Sequence, residues 1–403
     1  MDKQRVIVGG GHAAAQFCAS MTELDPGAGL TLVSDESHLP YQRPPLSKSF
    51  LKEESAGSAL LRAASFYAER DVTVRLAQEV VALNREAQLL TLGSGEELAY
   101  SQLVLATGTR PRMAPLFAGN YANVHTLRTV DDAQRLRAGL HAAQKVLVIG
   151  GGFIGLEIAA TAAQLGKQVT VLEAAPRLLG RSASPLISAH VLERQRANGV
   201  DVRLGDMPER PEVVDGLMRG VHAGGVFIGA DIIIVGIGAV PNQELAQAAG
   251  LACDNGIVVD ACMRTSDPAI FAIGDCTAFP SATLHRHIRL ESVQNAVDQA
   301  RCAALAAAGR PEPYTALPWF WSDQGATRIQ IAGLWAPEHR QVLRGDPDSG
   351  RFSVLHYAGD QLSSVESINS PADHIAARKL IAAARPVPPE QAADASVPLK
   401  SFE

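Results

Sequence analysis

The chain lacks the cysteine patterns that carry redox or metal chemistry. Its five cysteines, Cys18, Cys253, Cys262, Cys276 and Cys302, form no C-x-x-C pair and match no zinc or iron–sulfur spacing. They read as reduced and mostly buried thiols. His285 and His287 bracket Arg286 in what reads as a solvated loop with no third ligand, so no metal site is expected. Charged residues are only 19% of the total and the formal balance is −6, which argues against a nucleic-acid partner. The most apolar stretch, Ile232 to Val240, is far too short to span a bilayer. The first strand begins within the first six residues, so no signal or transit peptide is expected and the protein reads as soluble and cytoplasmic, without a membrane partner. Aromatic residues are sparse at 5%, with three tryptophans.

What the chain does have is apolar substance and glycine. With 403 residues, 47% of them hydrophobic, it can build two or three domains with real cores. One pattern occurs twice. The first copy reads Val6-Ile7-Val8-Gly9-Gly10-Gly11-His12-Ala13-Ala14, and the second Val148-Ile149-Gly150-Gly151-Gly152-Phe153-Ile154-Gly155. Each is a short apolar strand, a glycine turn and a helix, and each is followed by a strand ending in an acid, Asp35 or Glu173. A single such motif is a weak signal, but two with correctly placed strands and acids are hard to explain as ordinary turns.

The glycines do mechanical work. The first permits a tight turn, the second lets the backbone approach a pyrophosphate, and the third lets helix and strand pack closely; Ala14 takes the third place in the first copy. The helix N-terminus adds free N–H groups and a positive dipole end. Gly9, Gly11, Ala14 and Asp35 are therefore candidates for one dinucleotide, and Gly150, Gly152, Ile154, Gly155 and Glu173 for another. Two cradles suggest a flavin and a nicotinamide, and we assign FAD to the first copy and NADH to the second. Glu173 can accept hydrogen bonds from an adenosine ribose and would repel a 2′-phosphate, favouring NADH over NADPH, with Arg177 as the nearby counterweight.

Alternating strands and helices indicate an α/β protein with parallel sheets. The second unit reads as inserted into the first, ending near Ile232–Gly238, where Gly236 and Gly238 are further NADH candidates. Ile270–Asp275 is another buried strand running into a glycine and an acid. The expected segments are 1–112 and 245–320 for the FAD domain, 113–244 for the NADH domain and 321–403 for a C-terminal domain. Strands are expected at Arg328–Ile331, Phe352–His356 and Leu362–Ile368, and a helix at Ala372–Ala384. Pro386, Pro388 and Pro389 then predict an extended tail.

Pro40-Tyr41-Gln42-Arg43-Pro44-Pro45-Leu46-Ser47-Lys48, Leu105-Ala106-Thr107-Gly108, Arg289–Ala296 and Pro318-Trp319-Phe320-Trp321-Ser322-Asp323-Gln324 resemble the FAD-dependent, NADH-utilising ferredoxin reductases of oxygenase systems, the putidaredoxin reductase and biphenyl dioxygenase ferredoxin reductase family. The resemblance covers nearly the whole chain. It implies two Rossmann-like domains of the glutathione-reductase type plus a small α+β C-terminal domain. It also implies that Arg43, Lys48, Val80, Thr107, Gly108, Arg128, Asp275, Val293 and Trp321 contact FAD, with Glu157 and Glu291 on the NADH side. Related disulfide reductases carry a cysteine pair where this chain has Arg43, Lys48 and two prolines. Electrons would then leave the flavin for an outside acceptor, an acidic 2Fe–2S ferredoxin in transient contact with Arg301, Arg310 and Arg328.

Glu157 is the only charge in the apolar run Phe153 to Ala163, so it is either a surface position or a site residue. The resemblance places it over the flavin, paired with Lys48, where the pair would orient the nicotinamide. Trp321 reads either as core or, by resemblance, as an indole beside the flavin, and Lys48, Glu157 and Trp321 are the candidate catalytic residues. Rubredoxin reductase is the nearest rival function. A redox-responsive binding protein of the apoptosis-inducing-factor type belongs to a different class, and an NADH oxidase or peroxidase lacks its usual cysteine here. A monomer or weak dimer is expected.

Overall fold

Short runs that are apolar on both faces form central strands of parallel sheets, because helices cover such sheets on both sides. The computed structural model, which describes residues 4–27, 29–53, 57–281 and 283–403, contains two such sheets. The chain divides into two compact units. One comprises Met1–Gln42, Ser58–Arg110 and Ala239–Ala316, and the other Arg43–Gly57, Pro111–Gly238 and Leu317–Glu403.

In the first unit, Arg5–Val8 lies between Gln102–Leu105 and Leu30–Val33, with Ile270–Ala272 and Val72–Arg75 outside them, all five parallel. Strand order reverses at Arg5–Val8, so the crevice for a ligand opens at its carboxyl end. Helices His12–Leu24 and Val293–Ala307 line the core of this unit with alanine, Phe17, Met21 and Cys302. A three-stranded antiparallel sheet, Val80–Asn84, Leu89–Leu92 and Glu97–Ala99, also belongs to it. So does Arg286–Ile288, which pairs with Thr277–Ser281 and thereby places His287 in a strand, not in the expected loop.

The second unit repeats the plan. Lys145–Ile149 lies between Ile232–Val235 and Gln168–Glu173, again all parallel, so the second glycine turn also sits at a switch point. The middle segment of this unit runs Pro111–Gly238, and the first unit resumes at Ala239. Its C-terminal part is a five-stranded antiparallel sheet in the order Trp319–Gln324, Thr327–Gly333, Gln361–Ile368, Arg351–Ala358, Arg340–Asp346. Helix Pro371–Ala382 covers it through Ala376, Ala377 and Leu380.

The prolines near the end do not leave an extended tail. Pro389 opens the short helix Pro389–Ala393, where its missing N–H is one that no helix turn would use, and Leu399–Phe402 forms a 3-10 turn. Arg344, 4% exposed, fastens this tail. Its guanidinium donates to the carbonyls of Ala392, Asp394 and Val397 at 3.1, 2.6 and 2.9 Å and forms an ion pair with Asp373 at 3.0 Å. His374, beside Asp373, is buried with no hydrogen-bond partner for either ring nitrogen among the described residues, edge-on to Trp319. Burial, with Arg378 and Arg328 adding to it, pushes its pKa down to about 4. Among the described residues no helix is long and apolar enough to cross a membrane.

Candidate functional site

The first glycine turn is built for close backbone approach. Gly9 has φ +131°, and a Cβ there would stand 2.2 Å from the Ala106 carbonyl oxygen. Helix His12–Leu24 then starts at Gly11 with no side-chain cap and no acid in its first turn. Among the described residues, nothing beyond its own stretch of chain comes within 4 Å of where a Gly11 Cβ would sit, so the turn has room beside its N–H groups. This is the arrangement that takes a pyrophosphate. Ala14, in the third position, is fully buried against the sheet, and Asp35 is exposed after Leu30–Val33.

Further along the same unit, the Thr107 hydroxyl donates to the Asn242 carbonyl at 2.6 Å, and the Asn242 amide donates back to the Thr107 carbonyl at 2.9 Å. Gly108 turns with φ +64°, so Asn242, which the sequence did not single out, fixes the bend. Asp275 is half-buried in the 3-10 turn Gly274–Cys276, whose first N–H donates to Gln299 at 2.7 Å. Arg289 donates to the Asp275 carbonyl at 3.2 Å and holds the exposed Glu291 carboxylate at 2.6 Å. Val293 does begin a helix, and Ser292 caps it by accepting from Asn295 N–H at 3.1 Å. Val80 is half-buried at the start of its strand. Arg301 is exposed and ion-paired with Asp298 at 2.8 Å, and Arg310 is exposed beyond the helix.

The second turn has the same mechanics with a tighter acid. Gly150 has φ +105°, and a Cβ there would meet the Gly236 carbonyl oxygen at 2.4 Å. The helix Phe153–Gln164 starts at Gly152 without a side-chain cap, Ile154 is exposed on its first turn, and Gly155 packs beneath the turn. Glu173 accepts from Gly151 N–H at 2.6 Å and from Ala175 N–H at 2.7 Å, which holds its carboxylate at the turn. Both terminal nitrogens of Arg177 donate at 2.6 Å to backbone carbonyls, those of Ala183 and Gly180. Arg177 is thus bound to its own loop, and Arg181 is the guanidinium that lies against Gly238.

Glu157 is not a surface position. It is 6% exposed on the 153–164 helix, and its carboxylate is met from three directions. Lys48 Nζ donates to Oε2 at 2.6 Å, Ser47 Oγ donates to Oε2 at 2.5 Å, and Ser322 Oγ donates to Oε1 at 2.7 Å. Phe153, Glu157 and Thr161 recur at helical spacing on one face. Phe153 meets the Phe320 ring edge-on at 4.8 Å, and Thr161 donates to the Ser47 carbonyl at 3.0 Å. The helix face thereby gathers the 43–48 loop and the strand Trp319–Gln324. On that strand Trp321 is half-buried, its ring 5.8 Å from Trp319. Arg43 donates to the Arg128 carbonyl at 2.8 Å, so these two candidates are together, while Arg328 is exposed with Asp323 3.8 Å away. Ser47, Thr161 and Ser322 carried no sequence signal of their own beyond their neighbours in the motifs.

The thiols are chemically quiet. Cys18, Cys276 and Cys302 are buried, Cys253 and Cys262 half-buried, and all five are free. Burial pushes Cys18 and Cys302 up to about 12 and raises Cys253 and Cys262, so they hold their protons at neutral pH. No group of histidine, cysteine and acidic side chains suited to a metal occurs among the described residues. The two turns offer N–H donors and carboxylate acceptors, which fit the phosphates and ribose hydroxyls, respectively, of FAD and a nicotinamide dinucleotide.

Comparison with known proteins bears on the whole chain. Residues 3–300 match the model of the pyridine nucleotide-disulphide oxidoreductases, and residues 319–403 match that of the reductase C-terminal domain. Rhodocoxin reductase of Rhodococcus erythropolis is 43% identical over 98% of this chain and 93% of its own. The ferredoxin–NAD(+) reductase component of the anthranilate 1,2-dioxygenase system of Burkholderia cepacia is 42% identical over 98% of each chain. The solved structure of a covalent putidaredoxin reductase–putidaredoxin complex superposes with a TM-score of 0.95 at 38% identity, covering 100% of this chain and 98% of that one.

Proposed function

Since the chain belongs to the pyridine nucleotide-disulphide oxidoreductases, and within them to the ferredoxin reductases of oxygenase systems, we propose that it is an NADH:ferredoxin oxidoreductase. It takes electrons from NADH through FAD to a 2Fe–2S ferredoxin that supplies a haem monooxygenase or a Rieske dioxygenase. The observation that carries this reading is the loop at Arg43–Lys48. It holds a lysine paired with a buried glutamate and no cysteine, so a protein disulfide cannot be the electron exit.

FAD, when bound, supplies the step from two-electron to one-electron chemistry. The protein's own residues bind and orient. On the FAD side, the first glycine turn takes the pyrophosphate, Asp35 the ribose and Asp275 the ribityl region, and the start of helix Val293–Ala307 directs its positive end to the flavin. On the nicotinamide side, the second glycine turn and Glu173 hold the adenosine half. Lys48 and Glu157 hold the nicotinamide in place for hydride transfer, which needs close approach more than proton traffic. We further propose that the domains follow the segments 1–112 with 245–320, 113–244 and 321–403, and that the protein works in the cytoplasm as a monomer or weak dimer.

Anaerobic stopped-flow spectroscopy tests the proposal. NADH should bleach the flavin rapidly, and oxidised 2Fe–2S ferredoxin should then recover it. Flavin reduction with a persistent long-wavelength band and no transfer to any ferredoxin would favour a redox-responsive binding protein instead.

A further inference from the structure

Strand Trp319–Gln324 turns its side chains alternately to two faces. Phe320, Ser322 and Gln324 face one way, and each meets a different part of the nucleotide-binding half of its own unit. Phe320 meets Phe153, Ser322 donates to Glu157, and Gln324 accepts from Gln195 at 3.0 Å, while Gln195 also reaches the Leu156 carbonyl at 3.2 Å. Trp319 and Trp321 occupy the opposite face, with the Arg378 guanidinium 4.1 Å over the Trp319 ring. Ser322 is 1% exposed, and its hydroxyl is the donor to Glu157 Oε1, whereas Oε2 already serves Ser47 and Lys48. A buried carboxylate oxygen that loses its donor is left with a desolvation cost, so this bond is expected to hold one rotamer of Glu157 and one height of the strand.

We propose that Ser322 is a positioning residue that ties the Lys48–Glu157 pair to the strand bearing Trp321, so that the ion pair and the indole respond as one element. The inference deepens the ferredoxin reductase reading and rests on it for its purpose: the residues placed for hydride arrival are joined through a single hydroxyl to the strand of the indole that the resemblance places beside the flavin. A shift in the pair would then be felt at Trp321, its immediate strand neighbour.

The test is a double-mutant cycle read by fluorescence in the FAD-loaded protein. Trp319→Phe and Trp335→Phe leave Trp321 as the sole tryptophan of three. Its acrylamide quenching constant should change at least about twofold on Lys48→Met when Ser322 is present, and not in Ser322→Ala. An equal change in both backgrounds overturns the proposal. Should Ser322→Ala fail to fold, Glu157 supplies a second comparison: Glu157→Leu can accept from neither Ser322 nor Lys48 and should change the parental quenching constant. A Glu157→Leu variant with the parental value also overturns the proposal. In rapid kinetics Ser322→Ala should slow flavin reduction while leaving the dissociation constant for NADH unchanged. The fluorescence arms use neither NADH nor ferredoxin. A wild type that reduced no ferredoxin would defeat the functional reading and leave the cycle standing, and an additive cycle would do the reverse.

Discussion

Lys48 Nζ and Glu157 Oε2 stand 2.6 Å apart although 109 residues separate them in the chain, and the glutamate is buried where the lysine is partly open. A buried carboxylate needs such a partner, and removing either member leaves the other uncompensated. Glu157→Ala should therefore lower the rate of flavin reduction by NADH by roughly 10- to 100-fold, the scale of a misplaced reactant. A rate equal to wild type would remove the pair from the mechanism.

Glu173 should set the choice of nicotinamide. Its carboxylate is held by two backbone N–H groups, and Arg177, the neighbouring cation, is bound to the Gly180 and Ala183 carbonyls. NADPH would bring a 2′-phosphate against a fixed negative charge. Glu173→Ala should raise the ratio of NADPH to NADH activity by about tenfold or more, mostly through poorer use of NADH and relief of repulsion. Steady-state kcat/KM with both nucleotides gives the answer, and an unchanged ratio would place the ribose elsewhere.

Arg301 is exposed, with Asp298 as its ion-pair partner. An exposed charge that meets an acidic ferredoxin acts chiefly on encounter, so Arg301→Glu should slow ferredoxin reduction at low salt, with the deficit shrinking as salt rises. Reduction by NADH should be normal. A ferredoxin affinity identical to wild type would sink the assignment.

Arg344 holds the C-terminal tail by three carbonyls and Asp373 together. Replacing it with methionine keeps volume and loses every one of these bonds. The expected cost is about 3–5 kcal/mol, the range for breaking a buried pair. Limited proteolysis should then cut within or just before Pro389–Ala393 at protease levels that leave wild type intact.

His374 predicts an acid-side loss of stability. Burial keeps it neutral in the folded protein down to about pH 4, whereas the unfolded chain takes up the proton near 6.5. Between those values the unfolded state binds more protons, so stability falls as pH falls through this window. The loss from this residue is about 2 kcal/mol between pH 7 and pH 5. His374→Leu should flatten the difference in urea midpoint between those two pH values; an equally steep dependence would assign it to other groups, such as His125 and His190, which burial also depresses.

The parts of the fold legible beforehand were those with local signatures. Both strand–glycine–helix units could be read because their chemistry is contiguous, and the C-terminal strands because their polarity alternates. The helix expected at Ala372–Ala384 runs Pro371–Ala382, an offset of the usual size for helix ends. Three nearby prolines suggest an extended tail by their composition, but Pro389 occupies the first position of a helix, which favours proline. Sequence left Glu157 open between surface and site, since what decides it is Ser322, 165 residues away, with Ser47 and Lys48 from a third segment. Hydroxyl donors of that kind have no period and no fixed spacing. Asn242, which fixes Thr107 by a reciprocal pair of bonds, escaped for the same reason.

Helix Phe153–Gln164 has its start in the second glycine turn and its flank on Ser47, Lys48 and Ser322. For protein engineering this couples the second glycine turn to the ion pair through one helix. Transplanting the turn and helix from another reductase to change coenzyme would bring a foreign residue to position 157. A successful graft would have to stop at the first helical turn, before Glu157, or carry the 43–48 loop and the 319–324 strand along with it.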